Sequence, residues 1–277
     1  MEEPKRIQYS SDNPVLNNPY LEPKFHYDTD VDGNVDYSTI INGRRPYGYD
    51  ISIVPQKAKL VKALFTQEDF SSTNPNSDFI NGIRKEVKAW RTAGYPKASR
   101  ITKELLDFWF SNSQRLPQQR LFFCQQEAVE TAVWLNEIAD KDANMGNFYL
   151  RELQDRRHTV SNDDDDILPR TAFKMATGTG KTVVMAMLIL YHYLNKKANP
   201  MDTRYADHFL VCAPGITIRD RLGVLHLDNS QRSNNYDRSD YYHQRRLIPI
   251  QFEKELGGLN SCITIINYQQ FLRRTFS

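Results

Sequence analysis

The chain has 277 residues, 40 % hydrophobic and 25 % charged, with a formal net charge of +2. That is enough chain for one large domain or two ordinary ones with a buried core, in a composition typical of globular proteins. No apolar run approaches the ~20 residues of a membrane span and the first residues carry no apolar signal core, so membrane roles are excluded and a cytoplasmic location is expected.

Residues 1–78 read as an extended N-terminal arm, dense in Pro, Asn, Asp and Gly with short alternating β-type runs. Within it "DTDVDGNVDYSTII" predicts a hairpin with Asp32 and Gly33 at the turn. "DVDGNVD" shares letters with a calcium loop, but the bidentate Glu that such a loop needs is missing, which favours a plain turn.

Residues 79–119 form a predicted helical segment. "SDFINGIRKEVKAWRTAG" has Ser77 or Asp78 as cap, an apolar stripe at Ile80, Ile83, Val87 and Trp90, and Gly94 as a stop. "SRITKELLDFWFSN" repeats the pattern, with Ser99 as cap and Ile101, Leu105, Phe108 and Trp109 inward. Arg84, Lys85, Lys88, Arg91, Lys97, Arg100 and Lys103 cluster across this pair. A solvated helix face is the ordinary reading of such a run, and a phosphate-contacting patch is the alternative.

Residues 120–277 begin with a third helix, "RLFFCQQEAVETAVWLNEIA", starting near Cys124 and turning Ala128, Ala132, Leu135 and Ala139 inward. A polar stretch ending in four aspartates, 163–166, interrupts the pattern and reads as a surface loop. From Arg170 the rhythm becomes strand, turn, helix, strand. "RTAFKMA", "DHFLVCAP" and "CITIINY" are the predicted strands, Thr182–Leu194 and "GITIRDRLGVL" the helices between them, and "QQFLRR" starts another helix. Strands alternating with helices imply an α/β fold with a parallel sheet. Residues 167–277 carry 15 Lys and Arg against 8 Asp and Glu, whereas residues 1–166 carry 21 against 26. A basic second part is compatible with nucleic acid. The three cysteines, Cys124, Cys212 and Cys262, are widely spaced in apolar contexts, so buried thiols are expected rather than disulfides or a zinc site.

The strongest signal is "MATGTGKT", Met175 to Thr182. Gly178 and Gly180 permit a tight backbone path that points successive N–H groups at phosphate oxygens, and the helix beginning near Lys181 adds its unpaired N-terminal amides. Lys181 can reach the β- and γ-phosphates of ATP, and the Thr182 hydroxyl can bind Mg²⁺. The nucleotide-binding set is therefore Gln125, Thr177, Gly178, Thr179, Gly180, Lys181 and Thr182. Met175 stands where the strict phosphate-loop pattern has Gly; the A-x-x-G-x-G-K-T form, Ala176 to Thr182, is that of superfamily 2 helicases. Upstream, "FFCQQEAVETAVWL" resembles the adenine-reading Q motif of that superfamily, with Gln125 as the aligned residue and Gln126 as the fallback.

Downstream, "VCAPGITIRDRL" resembles the superfamily's motif Ia, placing Pro214, Gly215 and Arg219 near a nucleic-acid phosphate. "ITIINYQQFLRR" resembles the next strand-end motif, with Asn267 and Tyr268 at the carboxyl edge of the sheet where ligands gather. Together with the arm ("NNPYLEPKFHYDTDVDG", "NGRRPYGY") and "EVKAWRTAGYPKASRITKELLDFW", these segments resemble the helicase-type subunit R of type III restriction enzymes and related DEAD/DEAH-box restriction proteins. The resemblance implies two RecA-like lobes that use ATP and Mg²⁺ to move along or unwind double-stranded DNA, an endonuclease domain, and a separate DNA-methyltransferase modification subunit as partner.

Against that pattern, residues 120–277 are expected to be an incomplete first RecA-like lobe, truncated before the DEAD/DEAH motif. The acid pair and the arginine fingers of the second lobe are expected beyond Ser277, as is the nuclease, which leaves no catalytic residue within the chain. A sheet lacking its later strands would leave an apolar face uncovered. A phosphate-loop kinase without motor function and a truncated binding-only remnant are the alternative readings.

Overall fold

The computed structural model describes residues 6–7, 16–29, 34–47, 75–111, 115–141, 145–158, 171–230 and 237–271. The chain divides into two compact units, Met1–Gly94 with Ala139–Thr171 and Tyr95–Ile138 with Ala172–Ser277. In the first unit β2 (Phe25–Thr29) and β3 (Val35–Asn42) pair antiparallel, and β1 (Arg6–Ile7) joins the far side of β3. The hairpin read from the sequence is present as this strand pair; Asp32 and Gly33 lie outside the described residues, as do the four consecutive aspartates.

Helix α1 (Pro75–Thr92) opens on a proline, whose missing N–H would have had no helical partner. Ser77 and Asp78 therefore fall inside the first turn instead of capping it. Its buried face is Phe79, Ile83, Val87 and Trp90, so the expected stripe starts on Phe79 and leaves Ile80 half-buried. The Asn81 amide fastens the Tyr47 backbone, accepting from its N–H at 2.9 Å and donating to its carbonyl at 3.3 Å.

Helix α4 (Met145–His158) occupies the stretch in which the sequence shows only an interruption. Its apolar residues do not share a face: Met145 and Phe148 are exposed while Tyr149 is buried. One aromatic side chain packs it on α1. Tyr149 meets Phe79 edge-on at 5.6 Å, and its phenol lies against Gly82, where a Cβ would come within 2.2 Å of the hydroxyl.

The second unit is built around α5 (Lys181–Ala198), with α2 (Arg100–Leu106) and α3 (Phe123–Val133) packed on it. Ser99 caps α2 as expected, its hydroxyl accepting the Thr102 N–H at 3.0 Å. Both α2 and α3 end in a wide π turn, Asp107–Ser111 and Trp134–Ile138. Such a turn rotates the apolar stripe. Ala128 and Ala139 are buried as expected, but Ala132 and Leu135 are only half-buried, and Val129, Val133, Trp134 and Ile138 take the core positions.

A polar network crosses this core. The fully buried Glu137 carboxylate accepts the Ser99 N–H, the Thr102 hydroxyl at 2.8 Å and the Tyr191 hydroxyl at 3.3 Å. Asn195 closes the circle, donating to Thr102 Oγ1 at 3.0 Å and accepting from Ser99 Oγ at 2.5 Å. Burial, and then the neighbouring Glu137 carboxylate, push the Tyr191 phenol far above its usual range, which keeps it a donor. A second buried group pins the segment before α3. The Arg115 guanidinium donates to the carbonyls of Arg246 at 2.9 Å, Arg245 at 3.0 Å and Gln119 at 3.2 Å. Burial, with Arg246 nearby, lowers its pKa to about 10.

Strands β4 (Phe209–Ala213) and β5 (Ile263–Asn267) form a two-stranded parallel sheet, in register from Phe209 beside Ile263 to Ala213 beside Asn267. Short helices α6 (Ile216–Arg221) and α7 (Tyr241–Gln244) lie between them in the chain. Two sequence expectations need correction. The described part of the predicted strand "RTAFKMA", residues 171–176, enters no ladder: β4 and β5 pair with each other, and no described strand pairs with it. The cysteines are not buried: Cys212 is exposed and Cys124 and Cys262 are half-buried, since Cys212 falls on the open face of β4 with Leu210, which is 60 % exposed. Ile216 and Ile218 are exposed as well. Among the described residues no helix is long and apolar enough to cross a membrane.

Replacing Glu137 by Ala strands several buried donors, and is expected to lower unfolding stability by about 3 kcal/mol, with Glu137→Gln losing less, measured by urea denaturation. A second expectation concerns acid. Burial pushes His192 down to about 4, below its ordinary 6.5. The unfolded chain then binds the extra proton first, so stability should fall as pH drops from 6.5 towards 4. Urea midpoints measured across that window should show a shallower fall in His192→Asn than in the parent chain.

Candidate phosphate-binding site

The loop that precedes α5 turns on two left-handed glycines, Gly178 at φ 80° and Gly180 at φ 78°. An L side chain is disfavoured in that region by about 1–2 kcal/mol, which explains the glycines without reference to any ligand. The loop curls round the Ala176 carbonyl, which accepts the Thr179 hydroxyl at 2.7 Å and the Lys181 ammonium at 2.9 Å. Lys181 is thereby folded back to the loop while remaining exposed.

Gly180 is the N-cap of α5, and its carbonyl takes the Val183 N–H at 2.9 Å and that of Val184 at 3.3 Å. The N–H groups of Thr177, Gly178, Thr179, Gly180, Lys181 and Thr182 make no hydrogen bond among the described residues. The helix end supplies its partial positive charge to the same place. Six successive amides without a hydrogen-bond partner beside an ammonium are donors of the kind an anion needs, and the Thr182 hydroxyl stands one residue into the helix. Among the described residues no cluster of three or more His, Cys, Asp or Glu could hold a metal by itself.

Gln125 reaches the loop from α3. Its side-chain oxygen accepts the Phe122 N–H at 2.9 Å, closing the first turn of α3, and its side-chain nitrogen donates to the Thr179 carbonyl at 2.9 Å. Only 4 % of its surface is exposed. The residue singled out for reading adenine therefore has both ends of its amide engaged by backbone. Gln126, the fallback, donates to Glu130 Oε1 at 2.7 Å. Cys124 lies beside the same loop, and burial raises its thiol above the ordinary range.

The second group of candidate residues meets elsewhere in the unit. The β4–β5 register sets Ala213 beside Asn267, so Pro214 and Gly215 share the carboxyl edge of the sheet with Asn267 and Tyr268. Asn267 is 6 % exposed with its side-chain oxygen unpartnered, whereas Tyr268 is 47 % exposed. Arg219 follows on α6, where its guanidinium holds the neighbouring Asp220 carboxylate at 2.7 and 2.9 Å. A cavity of about 530 Å³ lined by Arg238, His243, Lys254 and Asn260 shares no residue with either group.

A loop of this form on a chain with these flanking motifs is what one family model describes. The model of the type III restriction enzyme res subunit matches residues 118–275, more than half of the chain. The chain belongs to that family. No curated protein and no solved structure matches it. The res-subunit family is one of ATP-dependent, helicase-like restriction subunits with a phosphate-loop domain, and the matched span takes in the loop, α3 and both strands of the parallel sheet.

The two loop glycines separate strain from contact. A Cβ on Gly178 meets open space, so Gly178→Ala should cost about 1–2 kcal/mol of backbone strain alone. A Cβ on Gly180 would stand 2.2 Å from the Gln125 nitrogen. Gly180→Ala should therefore cost more than Gly178→Ala in denaturant unfolding, and Gln125→Ala should remove most of that difference in the double variant.

Proposed function

We propose that this chain is the ATP-binding part of a DNA translocase or helicase subunit of a restriction system, with residues 120–277 as a first RecA-like lobe. The observation that carries this reading is the row of unpartnered N–H groups from Thr177 to Thr182 beside the Lys181 ammonium. Backbone donors in that arrangement fit the oxygens of a triphosphate. On binding, Lys181 would exchange the Ala176 carbonyl for the β- and γ-phosphates, and Thr182 would donate its hydroxyl oxygen to Mg²⁺. The metal ion neutralises charge on the phosphates when bound.

Pro214, Gly215, Arg219, Asn267 and Tyr268 are proposed to meet the phosphate backbone of double-stranded DNA. The position of Pro214, Gly215, Asn267 and Tyr268 at one sheet edge supports this, and Arg219, on α6, would trade Asp220 for a phosphate. A DNA-methyltransferase modification subunit, a second RecA-like lobe and a nuclease domain are the partners this reading requires.

Residues 268–277, after β5, contain no Asp or Glu, and a DEAD/DEAH acid pair would be needed to hold the metal and orient the attacking water. An arginine finger alone is worth about a thousandfold or more in rate. The expected result is weak Mg²⁺–ATP binding without useful turnover. In equilibrium titration with a fluorescent ATP analogue, Lys181→Ala should weaken binding about tenfold or more, the loss of a charge-assisted contact of about 1.5–3 kcal/mol. Undiminished binding by that variant would overturn the reading, and steady hydrolysis abolished by it would overturn the expected lack of turnover.

A further inference from the structure

We infer that the cavity near the amino end of β5 is a second anion site, built on Arg238 and Lys254, that takes a phosphomonoester. It is remote from the phosphate loop. Tyr193 of α5 donates to the carbonyl of Gly257, on the cavity wall, at 3.1 Å, and about 18 Å of helix separates Tyr193 from Lys181 at 1.5 Å per residue. It is also at the other end of the sheet from Asn267. The Asn260 side chain clamps Leu227 just ahead of β5, and the adjoining His226 ring meets the Ile263 carbonyl at 3.2 Å.

The cationic wall is fixed from beneath. Asp240 has no exposed surface and caps α7, accepting the His243 N–H at 2.8 Å. Its carboxylate also meets His243 Nδ1 at 2.8 Å and the Asp228 N–H at 2.9 Å. Burial opposes this charge, but those hydrogen bonds outweigh it and hold the Asp240 carboxyl below its usual range. A carboxylate only accepts, so His243 Nδ1 carries the ring proton. A guanidinium only donates, and Arg238 Nη1 stands 2.9 Å from Nε2, so Nε2 accepts. Both partners demand the same tautomer, and Asp240 thereby sets Arg238 through His243. Arg238 Nη1 also reaches the Asp228 carbonyl at 3.3 Å, whereas Nη2 makes no hydrogen bond among the described residues.

The rest of the wall selects the ligand. The Lys254 ammonium has no hydrogen bond or ion pair among the described residues, nor have the N–H groups of Gly257 and Gly258. With Arg238 Nη2 these donors outnumber the two oxygens of a carboxylate and suit the three terminal oxygens of a phosphate ester. Glu253 lines the cavity too and offsets one of its two cations, which disfavours the higher charge of a polyphosphate. A volume of about 530 Å³ matches a small-molecule site, and Leu227, Ile248 and Leu256 offer apolar wall to the organic part of the ester. The same chemistry occurs on a small phosphate ester and at the 5′ end of an oligonucleotide.

The test uses the full chain without Mg²⁺ and follows acetylation of individual lysines by mass spectrometry. The probes are inorganic phosphate, adenosine 5′-monophosphate, adenosine and a 5′-phosphorylated oligothymidylate. Inorganic phosphate and the monophosphate should slow acetylation of Lys254 severalfold, and adenosine should not. Lys181→Ala should leave that protection intact, which separates this cavity from the phosphate loop, and Arg238→Gln should abolish it. Lys254→Gln alters an exposed side chain without a partner, so its unfolding midpoint should stay at that of the parent. In the Lys181→Ala background it should weaken monophosphate binding about tenfold by calorimetry, the loss of one charge-assisted contact. Protection by the monophosphate but not the oligonucleotide supports a small ester as the source, and the reverse supports a nucleic-acid end. Equal acetylation of Lys254 with every probe would overturn the inference. So would protection by adenosine, protection that persists in a folded Arg238→Gln variant, or protection that vanishes in Lys181→Ala.

Discussion

Helix α5 has to meet two opposed demands, and the second unit is organised by them. Its body is buried almost all round, with Val183, Val184, Ala186, Met187, Ile189, Leu190, Tyr191, Tyr193, Leu194 and Asn195 out of solvent. Its first turn nevertheless leaves the N–H groups of Lys181 and Thr182 without a hydrogen-bond partner among the described residues. An open helix end in a packed core would be costly, because unpaired buried donors lose their hydration. The chain resolves this by leaving the loop exposed and the helix behind it enclosed.

The surrounding elements follow from that division. On the body of the helix, Tyr191 and Asn195 join the network of Glu137, Ser99 and Thr102, so the elements packed on α5 are fixed by directed bonds as well as by apolar area. Apolar packing alone tolerates sliding, whereas a buried carboxylate with several donors fits only one arrangement. At the loop end, Gln125 carries the same precision to Thr179. The position of α3 is therefore linked to the loop by Gln125, with Cys124 of the same helix beside it.

Much of this was legible beforehand, for identifiable reasons. The phosphate loop declares itself because left-handed backbone at Gly178 and Gly180 demands glycine, and the apolar sequence after Lys181 demands a helix buried on a sheet or other helices. Ser99 reads as a cap because a hydroxyl before an apolar periodic run has few other uses. Other features could not be read. Helix α4 depends on Tyr149 meeting Phe79 and Gly82, a contact made across a long interval of chain. The buried positions of α3 fall on Val129 and Val133 rather than Ala132, and a π turn follows at Trp134–Ile138; nothing in local spacing announces such a turn. "RTAFKMA" has the residues of a strand, but a strand exists only beside a partner.

The sequence by itself determined where the chain must bend and which family the chain joins, because these depend on residue types at short, fixed separations. Only the tertiary structure decided what Gln125 does. Its amide bonds to the Phe122 N–H and the Thr179 carbonyl, a placement set by the packing of α3 against α5. The physical reason is that a side-chain amide has no preference of its own among polar partners; it bonds to those that the fold brings within reach.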